Sequence, residues 1–238
     1  MSGLLSHSSC LRRIIFGLLA FPIAASPVAH AADSVLILAQ ADKSEEPKKA
    51  TPGAYIVKPV AEKKVKQLPD GPLYWRVVSF PTLAQAQAAV GPDRWNPNTV
   101  SYDPEPSLVA EVAGKAWFFA LGPKGGSTPG GTTVAEIGPV PPITAPEYLL
   151  RINYGSGPPG ATTPQHSHPG SEAFYVVAGR LGQKTGQGVS YVEAGQTMNG
   201  KSADVPMEVF NGGTSELTAL IMFVVDATKP FSSPAQIH

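Results

Sequence analysis

Short apolar runs separated by glycine and proline constrain the fold of this chain more than any other feature. Glycine supplies 24 and proline 25 of the 238 residues, well above the roughly 12 per cent that the two together average in proteins. The runs between them have strand length and are rich in β-branched and aromatic residues. The predicted strands are residues 74–80, 108–112, 116–121, 132–137, 148–154, 172–178, 189–193, 205–210 and 217–225. Many short strands joined by turns predict an all-β sandwich or barrel.

Two segments add detail to this all-β prediction. Thr82 can cap a short helix over residues 83–90, which is rich in Ala and Gln, and Gly91 and Pro92 can end it. The run 219–225 is apolar without alternation. A strand of that kind is expected to be covered on both faces.

The N-terminus has the pattern of a secretory signal. Arginines at positions 12 and 13 precede an apolar run at 14–25, and an A-x-A cleavage site follows at 29–31. Residues 1–31 are therefore expected to be a signal peptide, with a second A-x-A ending at 41 as the alternative cleavage point. A transmembrane anchor is the other interpretation, but the apolar stretch is shorter than the usual span of about 20 residues. The mature protein is expected to be secreted or periplasmic, and the paired arginines leave a twin-arginine route open.

The segment after the signal is charged and poor in residues that could be buried. Residues 32–70 are rich in Lys, Glu, Pro and Ala, which predicts a disordered linker. The whole chain balances 18 Lys and Arg against 18 Asp and Glu, without a basic stripe interleaved with aromatic residues, so no nucleic-acid partner is expected. Cys10 is the only cysteine. Removal of the signal would leave neither a disulfide nor a thiolate ligand.

The chemically richest segment is the pattern G-x5-H-x-H-x3-E-x6-G, formed by Gly160, His166, His168, Glu172 and Gly179. Side chains alternate along a strand, so the two histidines project to the same side and can converge on one ion. A turn after His168 would let Glu172 face back toward them. Imidazole and carboxylate groups at this spacing predict a metal site.

This pattern matches the first motif of the cupin superfamily at every fixed position, and the chain resembles a protein with a single cupin domain. The family's second motif, roughly G-x5-P-x-G-x2-H-x3-N, is matched only in part. Gly195 fits its start and Asn211 its end, but Met207 stands where the family has its fourth ligand histidine.

The resemblance implies a cupin-like jelly-roll β-barrel over residues 146–228, with a metal ion inside its mouth. Residues 71–145 would be additional β-strands or a degenerate second cupin half, and residues 229–238 a C-terminal tail. It also favours a homodimer.

Two histidines and one carboxylate are a donor set for Fe, Mn or Zn, with positions left for substrate or dioxygen. A thioether is a weak donor that suits mainly copper, so Cu is expected only if Met207 is a ligand; otherwise Met207 is an apolar wall. Further pocket candidates are Tyr154, Phe174, Phe210 and Gln165, with core packing as the alternative for the aromatic side chains.

Two functions fit the sequence. The first is an exported metal-dependent enzyme acting on a small organic molecule, of oxygenase or of isomerase or lyase type. The second is a non-catalytic cupin that binds a small ligand, with or without metal, which the loss of the fourth ligand favours.

Overall fold

The computed structural model describes residues 53–90 and 105–238, and these residues are almost entirely β-structure. The one helix in them is α1 (Leu83–Ala89). The strands are β1 (Ile56–Val65), β2 (Tyr74–Phe80), β3 (Ser107–Val112), β4 (Lys115–Gly122), β5 (Thr132–Ile137), β6 (Tyr148–Gly157), β7 (His166–Ser167), β8 (Gly170–Ala178), β9 (Arg180–Thr185), β10 (Gly188–Glu193), β11 (Thr197–Met198), β12 (Met207–Asn211), β13 (Leu217–Asp226) and β14 (Ser233–Pro234). The all-β prediction is confirmed.

The strands form three antiparallel sheets. The central sheet has the order β1-β6-β13-β8-β11, the site sheet β10-β9-β12-β7-β14, and the N-terminal sheet β3-β4-β2-β5. The inner faces of the central and site sheets share one apolar cluster, to which Phe174 and Phe223 contribute from the central sheet and Leu181 and Val209 from the site sheet. These two five-stranded sheets make the jelly-roll barrel.

Strand β13 explains why the central sheet has core on both sides. Leu220 and Met222 belong to the cluster shared with the N-terminal sheet, whereas Ile221 and Phe223 belong to the cluster inside the barrel. All four side chains are buried. The absence of alternation in this run is therefore the signature of a strand covered on both faces, as predicted.

The N-terminal sheet lies against the outer face of the central sheet and is itself covered by α1. Trp117 and Phe119 of β4 point toward the central sheet, while Phe118 packs on the other side with Ala86 of the helix. The side chain of Thr82 accepts a hydrogen bond from the Gln85 amide and so caps α1 as expected. The described residues within 71–145 thus contribute four additional strands in one sheet. The expected stop at Gly91 and Pro92 lies outside the described residues.

Two predictions about the chain ends need correction. Residues 56–65, assigned to the disordered linker 32–70, form β1 and pair antiparallel with β6. β1 is the edge strand of the central sheet and carries exposed lysines at positions 58 and 64, so its sequence has the charged residues of a linker. Residues 229–238, assigned to a tail, contain β14, which pairs with β7.

The predicted signal peptide at 1–31, or 1–41, lies outside the described residues. In the part of the chain that the structure covers, α1 is much too short to cross a membrane.

Candidate metal centre

The three predicted ligands come together between the two sheets of the barrel. His166 lies in β7 of the site sheet, with His168 just beyond it, and Glu172 lies in β8 of the central sheet. Gly170 lets the start of β8 lie close against β13, because a Cβ atom there would lie 2.1 Å from the carbonyl oxygen of Val224. One imidazole pair therefore faces one carboxylate across the barrel mouth.

The geometry of these groups suits a single ion. One ligand atom from each of His166, His168 and Glu172 lies within 4.8 Å of the others. The distance from His168 Nε2 to Glu172 Oε2 is 3.7 Å. Adjacent ligands on one ion, with bonds of about 2.1 Å at right angles, are about 3 Å apart. Small side-chain rotations would close the remaining gap.

Backbone carbonyls fix the orientation of both imidazoles. His166 Nδ1 is 2.8 Å from the carbonyl oxygen of Pro164, and His168 Nδ1 is 2.7 Å from that of Phe231. A carbonyl can only accept, so each Nδ1 must carry the proton, and in the neutral ring Nε2 then has the free lone pair. This arrangement is typical of histidines that bind metal.

Glu172 is held in the same way by Gln183. The Gln183 Nε2 donates to Glu172 Oε1 over 2.8 Å, which leaves Oε2 directed at His168. Gln183 lies in β9 and is buried. Sequence reasoning missed it, because β9 was not predicted and a polar glutamine gives no sign of burial.

Burial makes the site unfavourable for charge unless a cation is present. Glu172 is 2% exposed, and burial raises the pKa of its carboxyl to about 8 although the bond from Gln183 opposes the shift. His168 is 3% exposed, and burial lowers the pKa of its imidazole to about 4. A divalent cation would restore the charged carboxylate and bind the neutral imidazoles.

These shifts predict that the metal-free protein loses stability between about pH 6.5 and 8. In this window Glu172 keeps its proton in the folded state and loses it on unfolding, so the free energy of unfolding falls by up to about 1.4 kcal/mol per pH unit. Below about pH 6.5 the depressed pKa of His168 acts in the opposite direction, because the unfolded chain then binds the extra proton. The midpoint of urea unfolding in the presence of a chelator measures the effect.

The control for this prediction is Glu172→Gln, whose amide oxygen can still accept from Gln183. This variant should show little pH dependence between pH 6.5 and 8. A wild-type slope that persists in Glu172→Gln would contradict the assignment to Glu172.

A cavity of about 350 Å³ opens beside the three ligands. Its walls are mainly apolar, with few polar side chains besides the three candidate metal ligands. Side chains that matter for its chemistry are those of Tyr55, Asn153, Val209, Ile221, Phe223 and Phe231. Such a site suits a small organic molecule rather than a polymer.

Of the predicted pocket residues, Gln165 lines this cavity. Met207 does not: it is 1% exposed, and its sulfur lies 3.5 Å from Gln183 Nε2. Phe174 belongs to the barrel core. Met207 and Phe174 are therefore not among the residues that line the cavity, contrary to the prediction.

The other two aromatic candidates lie farther away. Tyr154 packs against the cluster between the central and N-terminal sheets, on the side of β6 opposite the cavity. Phe210 forms an edge-to-face pair with Tyr191 on β10. Both positions follow from strand alternation, which places neighbours of an inward residue on the opposite face.

The remaining motif residues shape turns around the site. Gly160, Gly179 and Gly195 all have positive φ, at 78°, 76° and 79°. A Cβ atom at Gly179 would also lie 2.6 Å from the Glu216 carbonyl oxygen. Asn211 donates to the carbonyl oxygens of Gly157 and Ser215, so its role is to tie neighbouring loops together.

Two facing antiparallel sheets with an H-x-H-x3-E pattern at the mouth decide the kind of domain. The barrel has the double-stranded β-helix fold. No family model matches the chain, and no curated protein matches it. Matches are found among solved structures, where cupin superfamily and double-stranded β-helix proteins recur.

Three of these solved structures show how far the identity and coverage of the matches vary. A structure of DMSP lyases is 24% identical over 37% of this chain and 44% of its own, with a TM-score of 0.32. The polyketide cyclase RemF from Streptomyces resistomycificus is 16% identical over 37% of this chain and 62% of its own, with a TM-score of 0.32. A cupin superfamily protein from Desulfitobacterium hafniense is 12% identical over 32% of this chain and 68% of its own, with a TM-score of 0.30.

Proposed function

We propose that this cupin-like protein binds one divalent cation through His166, His168 and Glu172 and acts on a small organic molecule in the adjoining cavity. The observation that carries the proposal is the pair of Nδ1 contacts to backbone carbonyls, which leaves both Nε2 atoms free beside the carboxylate. Histidines that served only as polar core residues would not need both rings held in this tautomer.

The donor set favours Fe, Mn or Zn. Two imidazole nitrogens and one carboxylate oxygen suit these ions. Copper would be favoured if Met207 were a ligand, but its sulfur is in contact with Gln183 Nε2, and Met207 is not among the residues that line the cavity. When bound, such an ion supplies Lewis-acid polarisation of a substrate oxygen or redox chemistry with dioxygen, which corresponds to isomerase or lyase, or to oxygenase, activity.

The chain itself would bind and orient the substrate. The apolar walls exclude water and so strengthen polar interactions inside the cavity. Gln183 binds Oε1 of Glu172 and leaves Oε2 directed at His168. The carbonyl oxygens of Pro164 and Phe231 hold the imidazole rings of His166 and His168.

The test is the metal content of the purified protein, without a histidine tag, after loading with each of Fe, Mn, Zn and Cu. About one ion per chain is expected in the wild type and none in the His166→Ala, His168→Ala double variant. His238→Ala is the matched control, because it removes a histidine outside the triad and should retain the ion. A wild type that binds none of the four ions would contradict the proposal.

A non-catalytic ligand-binding role is the second candidate, and the observation that favours it is Met207 at the position of the fourth cupin ligand. Incubation of the metal-loaded protein with small organic molecules under air and under nitrogen, followed by mass spectrometry, separates the two. Binding without any conversion by loaded protein would favour the second role.

We also propose that the protein is exported. The support is the charged, apolar and A-x-A pattern within residues 1–41. N-terminal sequencing of the protein from fractionated cells should find a start at residue 32 or 42 outside the cytoplasm. An intact Met1 would contradict cleavage.

A further inference from the structure

Two buried polar atoms in the cavity have no hydrogen-bond partner among the described residues. They are the hydroxyl oxygen of Tyr55 and the side-chain oxygen of Asn153, and both residues line the cavity. Asn153 is only 1% exposed. Buried polar groups in proteins are nearly always bonded to protein, water or ligand, so this pair marks the part of the cavity where a polar group of a ligand would be favoured.

Asn153 is on β6, and the Tyr55 hydroxyl, from the residue just before β1, reaches over the same strand. Asn153 and Gly155 are two residues apart, so they face the same side of the strand. A Cβ atom at Gly155 would lie 2.9 Å from the Tyr55 hydroxyl oxygen. Gly155 therefore makes room for this hydroxyl beside Asn153, and the two groups form one polar patch.

Strand register places this patch at a distance from the candidate metal ligands. Asn153 pairs with Ile221 of β13, and Phe223 of β13 pairs with Glu172 of β8. Asn153 and Glu172 thus share a face, two strands and two residues apart, which corresponds to roughly 12 Å between their Cα atoms. Ile221 and Phe223 form an apolar floor between them, and that floor is long enough for one planar ring.

Charge at the patch favours an uncharged ligand. The described residues that line the cavity include no lysine or arginine. The nearby Arg151 is already engaged: its guanidinium lies 3.9 Å from the centre of the Phe231 ring and is paired with Glu62. A carboxylate at the patch would lose its hydration without gaining a cation.

A hydroxyl group satisfies both atoms of the patch at once. It can accept from the Tyr55 hydroxyl and donate to the Asn153 oxygen. Burial, with a smaller contribution from Glu172, raises the pKa of Tyr55, so its phenol keeps the proton that it would donate. The aromatic walls from Phe223 and Phe231 suit a planar body.

From this geometry we infer that the cavity binds a small, uncharged molecule of the phenol class, with its hydroxyl between Tyr55 and Asn153 and its ring over Ile221 and Phe223. The inference rests on the proposed small-molecule function of the same cavity. It assigns Tyr55 and Asn153 as the residues that determine specificity.

The experiment compares three probes of one shape by calorimetry: 4-methylphenol, toluene and 4-methylbenzoate. Each is titrated into the full-length protein, both metal-loaded and chelator-treated. We expect 4-methylphenol to bind about tenfold more tightly than either of the others, because only its hydroxyl satisfies the buried pair.

The variants are Tyr55→Phe and Asn153→Leu, each of which removes one partner of the hydroxyl. Each variant should bind 4-methylphenol about tenfold more weakly than the wild type does and should bind toluene with unchanged affinity. Tyr154→Phe, which removes a hydroxyl from the opposite face of the same strand, is the matched control and should bind as the wild type does. Thermal unfolding checks that each variant is folded.

Metal content measured on the same samples separates ligand binding in the cavity from ion binding at the triad. Selective binding of 4-methylphenol by chain that takes up no ion would sustain the inference and contradict the metal proposal. An ion at the triad with no binding of 4-methylphenol, with no preference among the probes, or with full affinity in both variants would overturn the inference alone.

Discussion

Deletion of residues 231–238 is expected to weaken the binding of a divalent cation by roughly 10- to 100-fold, the usual cost of losing a group that orients a metal ligand. The deletion removes the Phe231 carbonyl that holds His168 Nδ1. It also removes the Phe231 ring, which lies 4.8 Å from the His168 ring and 4.9 Å from that of Phe223, measured between centroids. Without these contacts the imidazole can rotate and change tautomer.

Competition with a chromogenic chelator at constant pH measures this affinity. Deletion of residues 235–238 alone is the matched control, because it keeps Phe231 and strand β14 and should bind nearly as the wild type does. Near-ultraviolet circular dichroism checks that both shortened proteins are folded. Wild-type affinity in a folded 231–238 deletion would show that the C-terminal segment does not organise the site.

Trp117→Ala is expected to lower the free energy of unfolding by about 3–5 kcal/mol, the range for removing a large aromatic side chain from a core. Trp117 is 2% exposed and lies between the N-terminal and central sheets. Its indole nitrogen donates to the Val112 carbonyl oxygen over 3.1 Å, and its ring centre is 5.8 Å from that of Tyr175 on the central sheet. Little nearby structure could collapse into the space.

Urea unfolding followed by circular dichroism and by fluorescence measures this loss. Val189→Ala, at a side chain that is 48% exposed on β10, is the control and should change the free energy by no more than about 0.5 kcal/mol. If the N-terminal sheet is a layer of one cooperative core, both signals should shift together. An early separate transition in Trp117→Ala, with the barrel unfolding at its wild-type midpoint, would contradict this.

The predicted strands were confirmed where turn residues bound an apolar run. Residues 74–80 and 132–137 were predicted with the bounds that β2 and β5 have, because glycine or proline lies near both ends of each. Strand β9 was missed because its buried positions include Gln183 and Thr185, whose polarity hides the alternation. Strand β1 was missed because its exposed face carries lysines.

The surroundings of the three candidate ligands were much less predictable than the ligands themselves. His168 is held by the carbonyl of a residue 63 positions away, and a backbone carbonyl has no sequence signature. Tyr55 lies in the segment that was assigned to a linker, so nothing linked it to a cavity. The aromatic candidates Tyr154 and Phe210 failed because proximity in sequence to an inward residue places a side chain on the other face.

The sequence by itself determined the all-β class, the strand covered on both faces and the H-x-H-x3-E set, since these depend on local periodicity and on the chemistry of single residues. Only the tertiary structure decided what surrounds that set. The tautomers of the histidines, the support of Glu172 by Gln183, and the patch formed by Tyr55 and Asn153 all depend on strand register and on chain ends that return to the barrel. Those relations arise when distant segments pair, because backbone hydrogen bonds join residues whatever their side chains are.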